Sequence, residues 1–124
     1  MTVTYEEIRY EVDTGVATIT INRPDQLNAL TDLTQAEIRH ALAQSETNAD
    51  VVGTVLTGEG RGFCSGVDMN ALGGMSEAGK RLGNNYDHLQ ASPGNPDNDP
   101  NYTSSPTYFL GLRKPLIAAI NGAA

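Results

Sequence analysis

The sequence predicts an α/β fold built from strand-strand-helix units. Two β-branched segments of strand length come first, an amphipathic helical segment follows them, and a third β-branched segment starts at Val51. Strands and helices in this order are typical of a sheet covered by helices. At 124 residues the chain has the length of one domain at most.

The first unit opens with a predicted antiparallel hairpin. Ile8, Tyr10 and Val12 alternate with polar residues, and the segment 16–21 is rich in Val, Ile and Thr. The Asp-Thr-Gly sequence between the two segments predicts a turn. Pro24 then ends the second strand, because proline fixes φ and donates no hydrogen bond. Arg23 beside it is expected at the surface.

The segment 26–30 and the helix after it complete this unit. The segment holds more apolar residues than an exposed connector needs, so we expect it to pack against another element or to line a groove. Thr31 is a candidate N-cap of a helix that runs to about Ser45. Thr34 with Glu37 forms a competing capping box one turn later, and both starts give one amphipathic helix.

The segment from Val51 to Asp68 carries the strongest indication of function. A β-branched strand over 51–57 leads into a turn with three glycines between 58 and 62, and then into Phe-Cys-Ser-Gly-Val-Asp. Glycine lets another molecule approach the backbone closely, because no Cβ stands in the way. The segment therefore predicts a platform of backbone N–H groups that bind a ligand.

The remaining segments give less definite predictions. A second helix is expected over 76–90, although Gly79 and Gly83 disfavour it. The segment 91–106 contains four prolines and few apolar residues, which predicts an exposed or disordered insertion. A short helix near Tyr108 follows, then Arg113 at the surface, and then a buried strand over 116–120.

Composition disfavours several classes of function. The net charge of −7 disfavours a nucleic-acid partner, which needs a basic face. The sequence has no apolar run of membrane-spanning length and no secretory signal, so the cytoplasm is the expected compartment and no membrane partner is expected. Cys64 is the single cysteine, which excludes an internal disulfide and leaves too few soft ligands for a zinc site, so no metal is expected.

Known glycine-dependent motifs do not fit the platform. The dinucleotide fingerprint requires a third glycine where Phe63 or Ser65 stands, and no Gly-Lys-Ser/Thr sequence of a P-loop is present. A nucleophile elbow at Ser65 requires glycine in the place of Phe63. A hydrolase that uses Cys64 or Ser65 is a weak alternative, since the sequence places neither histidine near them.

Three segments together resemble the N-terminal half of the crotonase superfamily, the enoyl-CoA hydratases and isomerases. They are 21–30 (Ile-Asn-Arg-Pro through Leu-Asn-Ala-Leu), 55–68 (Val-Leu-Thr-Gly through Phe-Cys-Ser-Gly-Val-Asp) and 114–122 (Lys-Pro-Leu-Ile-Ala-Ala-Ile-Asn-Gly). The resemblance covers almost the whole chain except the proline-rich segment. It implies a crotonase-like spiral of strand-strand-helix units, with residues 1–124 forming the N-terminal part of the core domain.

The resemblance also implies a chemistry and a set of site residues. Family members bind an acyl-CoA and stabilise the enolate or oxyanion of its thioester with two backbone N–H groups, of which Val67, at the start of a short helix, matches the first. Leu27 and Ala29 would line the CoA groove, Ser65 and Asp68 would flank the thioester and pantetheine, and Arg61 would approach the CoA phosphates. Gly66 would allow close approach of the thioester, and Met69 would line an acyl pocket.

Simpler roles remain open for several of these residues. Arg61 could be only a solvated charge, Asp68 could cap the helix that it begins, and Met69 could belong to the core. The family's second donor and its catalytic glutamates lie beyond Ala124, so a C-terminal remainder is expected and the 124 residues alone are expected to be inactive.

The expected whole protein is a hydratase (a lyase) or an isomerase of fatty acid metabolism, and a trimer or hexamer. It would need no cofactor, because CoA is part of the substrate. The alternative is a non-catalytic module that binds CoA or a partner protein.

Overall fold

A computed structural model of the protein describes residues 4–68, 87–89, 91, 93–94 and 107–123. Met69 and most of the helix expected over 76–90 lie outside the described residues. Most of the insertion expected over 91–106 also lies outside them. Residues 87–89 form a single 3₁₀ turn.

The described elements form one four-stranded sheet and one long helix. The strands are β1 (Ile8–Asp13), β2 (Val16–Ile21), β3 (Gly53–Gly58) and β4 (Leu116–Ala118), and they lie side by side in that order. β1 pairs antiparallel with β2, with Ile8 opposite Ile21, which confirms the predicted hairpin. β2 and β3 are parallel, and so are β3 and β4. Helix α1 (Asp32–Thr47) connects β2 to β3, as a parallel connection requires.

Helix α1 begins where the first of the two competing caps predicted. The Thr31 side chain accepts a hydrogen bond from Thr34 N at 3.1 Å, and the Thr34 hydroxyl accepts one from Thr31 N at 3.2 Å. Glu37 does not cap the helix; its carboxylate accepts hydrogen bonds from the backbone of Glu6 and Glu7 at 2.6 and 2.7 Å. Glu37 therefore ties the segment before β1 to the middle of α1.

The core lies between α1 and one face of the sheet. β2 contributes Ile19 and Ile21, which are almost completely buried, and α1 contributes Leu42. The whole cluster consists of Ile8, Ile19, Ile21, Ile38, Ala41, Leu42 and Tyr108. Tyr108 belongs to a 3₁₀ helix (Thr107–Gly111), so the short helix predicted there is present and packs on the core. Among the described helices, none is long and apolar enough to cross a membrane.

The prediction of a buried strand over 116–120 was wrong. β4 covers three residues and forms the edge of the described sheet, where Ile117 and Ile120 are 59% and 65% exposed. The predicted burial rested on apolar composition, whereas burial also requires a neighbouring element on that side of the strand. No described residue supplies that neighbour.

Candidate functional site

The candidate site is the segment 58–68, which follows β3 and which we call the glycine loop. Its first glycine, Gly58, which is also the last residue of β3, is needed for close packing rather than for access. A Cβ at Gly58 would lie 2.5 Å from Phe63 O and 2.6 Å from Gly62 O. The start of the loop therefore folds back on its own backbone, at distances that only glycine allows.

Val67 lies in a short backbone bridge to Leu30 in which its own N–H takes no part. Leu30 N donates to Gly66 O at 2.7 Å, and Asp68 N donates to Leu30 O at 2.7 Å. In such a parallel bridge the N–H and C=O of the central residue point to the opposite side. Among the described residues, none accepts a hydrogen bond from Val67 N, and the residue is 50% exposed. Within the described residues, Val67 N–H is thus a backbone donor whose direction is set by the bridge on either side of it.

Gly66 is required by its backbone conformation. Its φ is +117°, which L side chains rarely adopt, and a Cβ built there would have no heavy atom within 4 Å. The space beside Gly66 is therefore open in the described part of the chain, so another molecule can come close to the main chain at this point.

The opposite side of the glycine loop is joined to the segment after β4. Phe63 N and Cys64 N both donate to Ala123 O, at 2.8 and 3.3 Å. Asn121 lies across the turn, where its Nδ2 donates to Gly60 O at 2.9 Å and its Oδ1 accepts from Gly58 N at 3.3 Å. These contacts hold residues 58–64 and 121–123 together.

Asn28 holds the glycine loop in place, which the sequence analysis did not predict. It is fully buried at a φ of 59°, and its Oδ1 accepts from Arg23 N at 2.8 Å. Its Nδ2 donates to Gly62 O at 2.7 Å and to Glu59 O at 3.0 Å. Asn28 therefore fixes the glycine loop to the segment 23–29. The available signal was the tolerance of asparagine for left-handed backbone in an otherwise apolar segment.

Arg23 is not at the surface, so that prediction was wrong. Its side chain is only 15% exposed and lies between two carboxylates, with Nε 3.1 Å from Glu7 Oε2 and Nη1 3.2 Å from Asp68 Oδ2. Both carboxylates are distant from Arg23 in the sequence, so its neighbours along the chain do not indicate that the charge is paired. Arg113, by contrast, is half-exposed as predicted.

The other predicted site residues lie around the same loop. Asp68 is buried, and its carboxylate contacts Arg23. Leu27 is 37% exposed and packs near Gly62, whereas Ala29 is 9% exposed. Ser65 and Arg61 are exposed on the loop itself.

No hydrolase-like arrangement surrounds Cys64 or Ser65 in the described residues. The Ser65 hydroxyl donates to the carbonyl of Gln26 at 3.5 Å, which is no general base. His40 Nδ1 is bonded to the Tyr5 hydroxyl at 2.7 Å, and burial, together with the positive charge of His88, lowers the pKa of His40. The described residues also include no group of three side chains that could hold a metal ion.

Comparison with known proteins agrees with the fold and with the three sequence segments. A model of the enoyl-CoA hydratase/isomerase family matches residues 11–124. "Probable enoyl-CoA hydratase EchA14" of Mycobacterium tuberculosis is 39% identical over 122 residues, covering 97% of this chain and 41% of that protein. A peroxisomal Δ(3,5)-Δ(2,4)-dienoyl-CoA isomerase of Arabidopsis thaliana is 36% identical over 123 residues, covering 97% and 42%.

Solved structures give the same result. An enoyl-CoA hydratase/isomerase from Mycobacterium paratuberculosis superposes with a TM-score of 0.64 at 36% identity, covering 96% of this chain and 39% of that one. Enoyl-CoA hydratase EchA8_6 from Mycobacterium marinum gives 0.69 at 26% identity, with 94% and 49% covered. The chain spans about two fifths of the length of the curated relatives, consistent with an N-terminal part of a crotonase fold. The chain belongs to the enoyl-CoA hydratase/isomerase family of the crotonase superfamily.

Proposed function

We propose that the protein acts on an acyl-CoA thioester and that Val67 N–H donates a hydrogen bond to the thioester oxygen as that oxygen gains negative charge. The observation that carries the proposal is the N–H of Val67, which points away from the bridge and has no acceptor in the described part of the chain. The hydrogen bonds on either side of it hold the peptide on Leu30: Gly66 O accepts from Leu30 N, and Asp68 N donates to Leu30 O. A donor that is fixed before the substrate binds costs no reorganisation when charge develops.

The proposed chemistry is hydration or isomerisation of an enoyl thioester through an enolate or oxyanion. One backbone donor in such a site lowers the barrier by about 3 to 4 kcal/mol. A second donor and the acid/base residues would come from outside the 124 residues, so the proposal concerns the whole protein. No separate cofactor is needed, because CoA enters as part of the substrate.

The residues around the glycine loop are proposed to bind the rest of the substrate. Leu27 and Ala29 would contact CoA, Ser65 would flank the thioester, and Arg61 is exposed where a phosphate could reach it. Met69 is proposed for the acyl pocket. A trimeric or hexameric assembly and a cytoplasmic location also belong to this proposal, supported by the family resemblance alone.

Replacement of single backbone amides by esters would test the donor. An α-hydroxy analogue of valine at position 67 removes the N–H and keeps the side chain. The matched control is the same replacement at Val52, whose N–H donates only to Gly15 O at 2.7 Å. Val52 lies next to the start of β3, and five residue steps of strand, roughly 17 Å, separate that start from the glycine loop. The assays are steady-state hydration of a short trans-2-enoyl-CoA and thermal unfolding.

We expect the ester at position 67 to lower kcat by about a hundredfold to a thousandfold, with the unfolding temperature close to that of the control. The ester also weakens Gly66 O as an acceptor, which is why stability is measured in parallel. An unchanged kcat would refute the proposal. If the unaltered protein binds acyl-CoA without turnover, the alternative of a non-catalytic CoA-binding module is correct instead.

A further inference from the structure

We infer that Arg23 is a positioning residue, which fixes the backbone of the Val67 donor through the neighbouring Asp68. The inference rests on the function proposed for Val67 and assigns the residue that keeps this N–H in place. The groups involved are three largely buried charges: the side chains of Glu7, Arg23 and Asp68 are 22%, 15% and 12% exposed.

The guanidinium of Arg23 contacts three oxygens from three parts of the chain. Nε is 3.1 Å from Glu7 Oε2, Nη1 is 3.2 Å from Asp68 Oδ2, and Nη1 also donates to the carbonyl of Ala29. The planar, forked guanidinium can serve several acceptors at once in fixed directions, which an ammonium cannot do. Arg23 thus joins the segment before β1 to the last residue of the glycine loop.

Arg23 is itself held on both sides. Its backbone N–H donates to Asn28 Oδ1 at 2.8 Å. The second oxygen of Glu7, Oε1, accepts hydrogen bonds from the hydroxyls of Thr34, at 2.7 Å, and Thr31 at the start of α1. The N-terminal end of a helix also favours negative charge nearby. A chain of contacts through Arg23 and Glu7 therefore connects Asp68 to the first turn of α1.

The consequence for Val67 follows from its place in the chain. Asp68 N is bonded to Leu30 O on one side, and the Asp68 carboxylate contacts Arg23. Two contacts on one residue restrict rotation of the peptide groups next to it, so the direction of the preceding N–H is restricted as well. Without Arg23, two largely buried carboxylates lose the cation between them, which disfavours the present position of Asp68.

The test compares Arg23→Met with Arg113→Met in the protein as encoded in its gene. Arg113 is the matched control. Its side chain is half-exposed, and its Nε makes a long contact of 3.7 Å with Glu46 Oε1, near the end of α1 that is farther from the glycine loop. We expect Arg23→Met to lower kcat by about tenfold to a hundredfold, because small misplacements of a reacting group have effects of this size. The KM should change little, because the residues proposed to contact CoA are unaltered. Arg113→Met should leave both constants unchanged.

Amide hydrogen exchange provides a readout independent of activity. Exchange in the segment 62–68 should be faster in Arg23→Met than in Arg113→Met, with exchange in β2 unchanged. Arg23→Lys should recover part of kcat, since lysine restores the charge without the fork. Loss of the cation between two buried carboxylates lowers the unfolding temperature in either case. A purely structural role would instead speed exchange in β2 as much as in 62–68, and that result would overturn the inference.

The outcomes separate this inference from the proposed function. If the ester at position 67 lowers kcat but Arg23→Met does not, Arg23 is not a positioning residue and the proposed function stands. If the ester leaves kcat intact, the proposed function fails. Unchanged exchange in 62–68 would then show independently that Arg23 does not hold the loop.

Discussion

Asn28 offers the sharpest test of how the glycine loop is held. Its side chain is fully buried and makes three hydrogen bonds, to Arg23 N, Glu59 O and Gly62 O. Replacement by alanine removes all three bonds. Gly62 O still accepts from Asn121 Nδ2 at 3.3 Å. The substitution therefore leaves two groups, Arg23 N and Glu59 O, without the hydrogen bond that Asn28 made.

The magnitude follows from these contacts. Each buried polar group left unpaired costs about 1 to 3 kcal/mol. Alanine also tolerates the φ of 59° less well than asparagine, at a cost of about 1 kcal/mol. We therefore expect Asn28→Ala to lower the free energy of unfolding by about 3 to 7 kcal/mol. Asn28→Gly should recover about 1 kcal/mol of that loss, since glycine accepts the left-handed conformation.

Urea unfolding of the protein as encoded, followed by circular dichroism, measures these differences. Asn48→Ala is the control. It removes one exposed side-chain bond, to Asp50 N at 2.9 Å, and should cost no more than about 1 kcal/mol. A cost of Asn28→Ala no larger than that of the control would refute the account of Asn28 as the residue that fixes the loop.

Asn28→Asp gives a second, pH-dependent test. At neutral pH a carboxylate oxygen would replace the Nδ2 that faces Glu59 O and Gly62 O, so repulsion would raise the pKa of the new carboxyl in the folded state. A carboxyl with a raised folded pKa destabilises the fold above that pKa, and the deficit shrinks as the pH falls through it. We expect Asn28→Asp to approach wild-type stability as the pH is lowered from 7 to about 4.5. A pH-independent difference would contradict this arrangement of atoms.

Three further predictions concern other parts of the structure. Burial raises the pKa of Glu37 above its ordinary value of 4.5, so the stability of the wild type relative to Glu37→Gln should fall as the pH rises from 4.5, measured by urea unfolding across pH. Lys114→Met should cost about 1 to 3 kcal/mol in the same measurement, because Nζ donates to two carbonyls at the end of α1, Ser45 O at 2.8 Å and Asn48 O at 2.6 Å. Gly122→Ala should cost about 3 kcal/mol and speed amide exchange at Phe63, because its Cβ would lie 1.9 Å from Arg61 O.

The parts of the fold that the sequence predicted correctly depend on local interactions. The hairpin and the Thr31 cap rest on alternation and on a side chain that bonds its own backbone three residues later. The glycine-rich turn also follows from residues next to each other. The resemblance of three segments to the crotonase superfamily predicted the overall fold, which local patterns alone do not. The comparisons confirmed the fold class and the family.

The errors and omissions concern contacts between distant residues. Arg23 contacts Glu7 and Asp68, and whether a charged side chain meets such distant partners or water cannot be decided from its neighbours in the sequence. The exposure of β4 depends on what lies beside it, which its composition does not contain. The direction of Val67 N–H likewise depends on a bridge to Leu30, and the whole of α1 and β3 lies between these two residues in the sequence.

The carbonyl of Gly62 accepts from Asn28 and from Asn121, two residues that are far apart along the chain. The turn therefore reaches its final shape only after segments on both sides of it have been synthesised and brought together. During translation the turn at 58–62 would therefore stay incompletely ordered until the segment after β4 has left the ribosome. Completion of this turn would then be a late event in folding, because it needs contacts between segments that are far apart along the chain.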